Sequence, residues 1–198
     1  MDIINLYGAG GHAKVIADII SAGGGSVGHI YDDDCTIGRF LGREVLPPAE
    51  IHPSQSIIIS IGNNRIRRDI AEAMNTVAFE CAVHPSAVVS LSARINVGSV
   101  VMQGAIIQAD AQIGRHCIVN TGASVDHDCR ISDYVHIAPH ATLCGNVEVG
   151  EGTLIGAGAV VIPGVKIGKW CVIGAGSIVT DDIPDNTMGF GNPFRAKI

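Results

Sequence analysis

Aromatic side chains are scarce in this chain: Trp, Tyr and Phe together make up 4% of its 198 residues. A core built on large rings is thereby excluded. The 47% apolar content comes mostly from Ile, Val and Ala, as a narrow interior would require. No run of 18 apolar residues occurs, so no helix is expected to enter a membrane. Basic residues are in deficit, 13 Lys and Arg against 19 Asp and Glu, and a net charge of −6 argues against nucleic acid as the main partner. The opening residues, Met1-Asp2-Ile3-Ile4-Asn5, lack the basic stretch of a signal peptide. Cys35, Cys81 and Cys144 have no metal-ligand spacing, so a cytoplasmic, reduced protein without a metal site is expected.

What the chain has in abundance is a six-residue rhythm. Every sixth residue from Val83 to Val179 is Val, Ile or Leu, seventeen in seventeen, and all but Leu143 are β-branched. Four residues after each stands a second, smaller position: Ala at 87, 93, 105, 111, 123, 141 and 159, Cys at 117, 129 and 171, and otherwise Ser, Thr, Val or Ile. A period of six fits neither an amphipathic helix nor a sheet strand, so the segment is an internal repeat, and β-branching favours strand. Gly98, Gly104, Gly122, Gly152, Gly158, Gly164 and Gly176 share the fourth place of their hexads, which suits corners that need a left-handed backbone. The pattern resembles the hexapeptide-repeat, left-handed parallel β-helix, in which three hexads make one 18-residue triangular coil. Coils stacked about 4.8 Å apart give a prism roughly 27 Å long.

Ahead of the repeat, Ile3 to Tyr7 reads as a strand that stops at Gly8-Ala9-Gly10-Gly11-His12, and an amphipathic helix follows. His29 to Tyr31 reads as a second strand closing on Asp32-Asp33-Asp34. Ser56 to Ile61 is a third strand, ending on Gly62-Asn63-Asn64, and a helix over 65–74 and a strand near 79–83 lead into the repeat. The expected fold is a small Rossmann-like α/β domain with a parallel sheet over 1–80, followed by the β-helix and its tail over 81–198. Gly8-x-Gly10 with Asp32 downstream matches part of a dinucleotide fingerprint, but position 13 is Ala. Three readings stay open: a dinucleotide, a mononucleotide with its phosphates over the helix that begins near Gly11, and a tight turn without a ligand.

The repeat also carries five histidines, His84, His116, His127, His136 and His140, none of them on an inward place. His84, beside Pro85, suits a cap, and the corner places of His116 and His140 suit solvated side chains. His127 differs because Asp126 and Asp128 flank it. A carboxylate beside an imidazole fixes its tautomer and raises its basicity, as a general base for acyl transfer requires. No two of these histidines are 18 or 36 residues apart, so they do not stack as zinc ligands on one wall.

Together, Gly8-Ala9-Gly10-Gly11-His12, Asp32-Asp33, Ile61-Gly62-Asn63-Asn64 and Asn120-Thr121-Gly122…Asp126-His127-Asp128-Cys129…His136 resemble the bacterial sugar acyltransferase family. That family includes N-acetyltransferases of UDP-4-amino-4,6-dideoxy-sugars and sialic acid O-acetyltransferases. The resemblance implies acetyl-CoA as co-substrate and a nucleotide-sugar acceptor, with direct attack and no acyl-enzyme. By the same resemblance the phosphates lie near Gly10, Gly11 and His12, and Asp32 and Asp33 lie near the sugar or base. Asn63, Asn64 and Asn120 line the cleft. His127 is the implied general base and Asp128 its orienting partner, although the family often has Glu there, which leaves Asp126 open for that task. His136 is implied to contact the donor, and nine residues, half a coil, separate it from His127. The two are therefore expected to meet across a subunit boundary in a homotrimer. Gly145, one coil beyond His127, offers a backbone amide to the acetyl oxygen or is an ordinary corner glycine. The tail Gly191-Asn192-Pro193-Phe194-Arg195 resembles the family's, with Phe194 where Ala is usual. Arg195, Lys166 and Lys169 are expected at the coenzyme A phosphates, and the smooth walls at 156–159 and 174–177 beside the pantetheine arm. Which nucleotide, which sugar, and N- or O-acetylation stay open. A noncatalytic sugar-nucleotide sensor is the rival, separated by whether acetyl-CoA binds at all.

Overall fold

The computed structural model describes residues 3–74 and 76–197. Met1 and Asp2, part of the N-terminal stretch read above, lie outside the described residues, as do Asn75 and Ile198. The α/β segment runs β1 (Ile3–Tyr7), α1 (Gly11–Ala22), β2 (Ser26–Tyr31), β3 (Arg39–Phe40), β4 (Arg43–Leu46), β5 (Ser56–Ile59), α2 (Asn64–Ala73) and β6 (Ala78–Phe79). The strand order is β3-β4-β2-β1-β5-β6, parallel except for the β3–β4 pair. That hairpin is absent from the sequence expectation. Leu41 and Gly42 both take positive φ, 51° and 75°, as a tight two-residue hairpin turn demands, and Leu-Gly is a weak signal for such a turn. The expected strands also shift: β2 starts at Ser26, β5 stops at Ile59, and the strand near 79–83 divides into β6 and Ala82–Val83.

The hexads fold as the rhythm requires. Seventeen two-residue strands from Ala82–Val83 to Ile178–Val179 wind into three parallel walls, each strand pairing with those 18 residues away. All fourteen large positions from Val101 to Val179 are buried in one continuous core with the small positions. Val83, Val89 and Ile95 are more open because no coil lies beneath them, and Val83 is exposed. Fourteen consecutive corners, from residue 98 to residue 176, take positive φ. Seven are the glycines named above, and the others are Asp110, His116, Asp128, Tyr134, His140, Asn146 and Trp170. Asp, Asn and His tolerate that backbone, but for Tyr and Trp it costs on the order of 1–3 kcal/mol. The inward cysteines Cys117, Cys129 and Cys171 are buried. At the far end Phe194, 8% exposed, closes the core over Gly189.

The walls differ in what they turn outward. The inner wall shows Ala82, Val100, Ile118, His136, Leu154 and Val172, and its first three strands pack against α1 through Ala13, Ile16, Ile19 and Ile20. The neutral wall shows Val88, Ile106, Ser124, Thr142, Val160 and Ile178, and the charged wall Arg94, Gln112, Arg130, Glu148 and Lys166. No described helix is long and apolar enough to cross a membrane.

Candidate active site

His127 follows the neutral-wall strand Ser124–Val125, at the edge joining the neutral and charged walls. Its Nδ1 lies 2.8 Å from Asp128 Oδ2, while Asp126 Oδ1 accepts the His127 backbone N–H at 2.7 Å. Asp128 therefore faces the ring and Asp126 fixes the backbone. The hydrogen bond His127 donates to Asp128, then the charge of Asp126, raise the His127 pKa above its ordinary value. With its proton on Nδ1 the ring presents a bare Nε2, and at 60% side-chain exposure that nitrogen is open to a second reactant. Gly145 is no corner glycine, because a Cβ there would lie 2.6 Å from His127 Cε1 and Nε2. Only a glycine lets that coil pass beneath the imidazole.

A second constellation forms where the α/β domain meets the inner wall. The ring centroids of His12, on α1, and His136 are 6.4 Å apart, and Asn120 Nδ2 lies 3.0 Å from His136 Nε2. The Thr121 N–H donates to Asn120 Oδ1 at 2.8 Å, which turns the amide nitrogen toward His136 as a donor and leaves His136 Nε2 as the acceptor. Both imidazoles are pushed down to about 4, chiefly by burial and next by the charge of Arg67. His136 lines a cleft of about 230 Å³ with Gly62, Asn63, Asn64, Arg65, Gly152 and Trp170. At the sheet's C-terminal edge, Gly8 closes on Ile61 at φ 115°, whereas a Cβ on Gly10 or Gly11 would meet nothing within 4 Å.

Several residues expected at the substrate have structural partners. Asp32 accepts the N–H of Ala9 and of Asp34, at 2.7 and 2.9 Å, and so ties the two glycine-side loops together. The Tyr7 hydroxyl donates to Asp33 at 3.1 Å. Asn63 caps α2 by accepting the N–H of Arg65 and Ile66, and Asn64 donates to Gly152 O across the domain boundary. Lys166 pairs with Glu148 at 3.2 Å on the charged wall, and Arg195 donates to Phe194 O. The solvated position expected for His116 is wrong. Its ring is 3% exposed, stacked on Tyr134 and edge-on to Phe79, because the α/β domain covers that corner. His140 is exposed, and His84 takes the N–H of Ser86 as a cap would. Arg67, which no motif singled out, binds both domains, and only its helical spacing from Asn63 would have pointed to it. Among the described residues, no group of three or more His, Cys, Asp or Glu converges as metal ligands do.

Residues 3–74 match the PglD N-terminal domain family, and residues 146–181 match the bacterial transferase hexapeptide family. Over its full length the chain aligns with a variant of perosamine N-acetyltransferase from Caulobacter crescentus, in complex with CoA and GDP-perosamine. The TM-score is 0.94 and the identity 39%, with 97% of that chain covered. This chain belongs to the hexapeptide-repeat sugar acyltransferase family. The acetyltransferase domain of PglB from Neisseria gonorrhoeae, another solved structure like this family member, is 40% identical with a TM-score of 0.91 and complete coverage of both chains. UDP-N-acetylbacillosamine N-acetyltransferase of Bacillus subtilis is 44% identical over 114 residues, 52% of each protein, so the match spans about half the length of that curated relative.

Proposed function

We propose that this protein is an acetyl-CoA-dependent N-acetyltransferase of a nucleotide-linked amino sugar, of the 4-amino-4,6-dideoxy type, working in the cytoplasm as a homotrimer. The observation that carries the reading is the Asp128–His127 pair, with its bare Nε2 over Gly145, in a chain similar from end to end to an enzyme holding CoA and GDP-perosamine. The neutral sugar amine attacks the thioester carbonyl, a C–N bond forms, and His127 Nε2 takes the amine proton. The tetrahedral intermediate then expels coenzyme A thiolate, which leaves as the thiol once that proton reaches it. Asp128 stabilises the imidazolium in between, and the Gly145 amide is the proposed donor to the oxyanion.

Gly10, Gly11, His12 and Asn63 are proposed to border the nucleotide-sugar, with Asp32 and Asp33 shaping the loops that hold it. Asn120 is proposed to border the nucleotide-sugar as well, His136 to face the acetyl donor, and Lys166 and Arg195 the donor's phosphates. For Lys166 that role requires exchange of Glu148 for phosphate. His127 stands at the edge opposite the inner wall of its own prism, so a complete site needs the neighbour's inner wall. The uncharged neutral wall that borders His127 is the face a second copy would cover.

Release of free coenzyme A tests the reading, with UDP- and GDP-linked 4-amino sugars and sialic acid as acceptors. Turnover on one nucleotide amino sugar, lowered about 10²–10⁴-fold in His127→Ala, is expected. Turnover on sialic acid alone would replace the N-acetyl reading with O-acetylation. Absence of both turnover and acetyl-CoA binding would leave a sensor.

A further inference from the structure

We infer that Arg67 is a positioning residue for the cleft: its buried guanidinium fixes the 61–64 loop to two coils and holds a positive charge near the paired imidazoles of His12 and His136. Arg67 is 1% exposed, on α2. Its Nε donates to His116 O at 2.8 Å, Nη1 to Ile61 O and Gly62 O at 2.9 and 3.2 Å, and Nη2 to Asn64 Oδ1 and Tyr134 O, both at 2.9 Å. Every donor is satisfied, and none of these acceptors carries a formal charge. The charge therefore stays directed at its surroundings in a poorly screened place.

A structural clamp alone would need hydrogen bonds, which neutral side chains supply at less desolvation. What the guanidinium adds is reach in two directions. Toward the loop, it grips Ile61, Gly62 and Asn64 on both sides of Asn63 and carries them to His116 and Tyr134, one coil apart. Gly62, Asn63 and Asn64 are one side of the cleft and His136 is the other, so Arg67 sets the cleft's width. Toward the imidazoles, its charge bears on both His12 and His136. It adds to burial and, for His136, to the effect of His12 itself. The Gly62 backbone opposes it at His136, Asn120 presents only an amide there, and Arg65 adds a second cation at the cleft mouth. Burial draws Arg67 itself down to about 10, which leaves it charged at neutral pH. The cleft thus offers its ligands the unprotonated imidazole of His136, with His12 beside it.

This inference rests on the proposed reading only in naming the cleft's occupants. Its test is histidine ¹⁵N NMR titration of the full chain as wild type, Arg67→Lys and Arg67→Met, with KM and kcat for the nucleotide amino sugar. Arg67→Met is expected to move the His12 and His136 titrations up toward 6.5 and to lower kcat/KM about 100-fold. Arg67→Lys keeps the charge and loses the fork, so the imidazoles still titrate acid while KM rises. Wild-type titrations and KM in folded Arg67→Met would overturn the inference. Should Arg67→Met not fold by circular dichroism, Arg67→Lys decides: a raised KM supports the role, and an unchanged KM with a mere loss of active fraction overturns it. If the wild type acetylates no acceptor, the proposed function fails, and the titrations still decide the role of Arg67.

Discussion

At the scale of single residues, the proposed chemistry rests on one imidazole held by two neighbours and one absent side chain. Asp128 bonds the ring, Asp126 bonds the backbone, and Gly145 leaves room beneath Cε1 and Nε2. Gly145→Ala would put a methyl 2.6 Å from the ring, so the imidazole must swing away while the surrounding coils stay paired. The expected result is a fall in kcat on the order of 100-fold with little change in Tm, measured by coenzyme A release and thermal melting. Wild-type kcat would show that the ring position is immaterial. Asp128→Asn tests the other neighbour. Asp128 raises the His127 pKa, so its neutral replacement lowers that pKa and moves the acid limb of kcat/KM to lower pH, while kcat falls because the tautomer is no longer enforced. An unmoved limb would assign it to another group.

At the scale of elements, the decisive feature is the edge where the charged wall turns into the inner wall. Gly98, His116, Tyr134, Gly152 and Trp170 follow one another there at 18-residue steps, all with positive φ. His116 lies over Gly98 and Trp170 over Gly152, and Arg65 and Arg68 of α2 cover the Trp170 ring at 4.6 and 4.8 Å. Three of the eight aromatics, Phe79, Tyr134 and Trp170, stand where the α/β domain is fixed to the coil. The coil itself was legible residue by residue, because a hexad's inward places depend only on local geometry repeated every 18 residues. The Asp126-His127-Asp128 arrangement was legible for the same reason, its partners being adjacent in sequence. His116 and Arg67 were not, since their burial depends on a domain folded from residues some 50 positions away. Three histidines at this seam, His12, His116 and His136, are each pushed down to about 4, first by burial and then by Arg67. Their folded pKa lies below the unfolded value near 6.5, so the unfolded state binds more protons between those limits. Stability is complete above about 6.5 and is lost as pH falls toward 4, by about 1.4 kcal/mol per pH unit for each histidine. Urea midpoints at pH 7.5 and 5 should show this. His116→Phe, which also removes a buried Nδ1 without a hydrogen-bond partner, should reduce the loss by about a third. An unchanged loss would exclude His116 from the effect.

At the scale of the whole molecule, three walls have three fates. The first three strands of the inner wall are covered by α1, the charged wall carries a ladder suited to water, and the neutral wall turns Val88, Ile106, Ser124, Thr142, Val160 and Ile178 outward with no charge among them. A row of uncharged side chains along a rigid prism favours a copy of itself, and a threefold ring would close with the neutral wall of each copy against the next. His127 stands at one border of that wall, while Asn120 and His136 stand at or beside the other, so closure would bring one copy's His127 to the neighbour's cleft. Complementation decides whether it does. His127→Ala and His136→Ala chains are each expected to be nearly inactive alone. Coexpressed in equal amounts, they form sites at random, and a site that takes His127 from one chain and His136 from the other is intact about one time in four. Activity in the mixture should therefore recover to about a quarter of the wild-type rate. Val160→Arg, with a charge in the middle of the neutral wall, should abolish the recovery and leave monomers by sedimentation. Recovery that fails while trimers persist would place both histidines in separate sites or in one subunit.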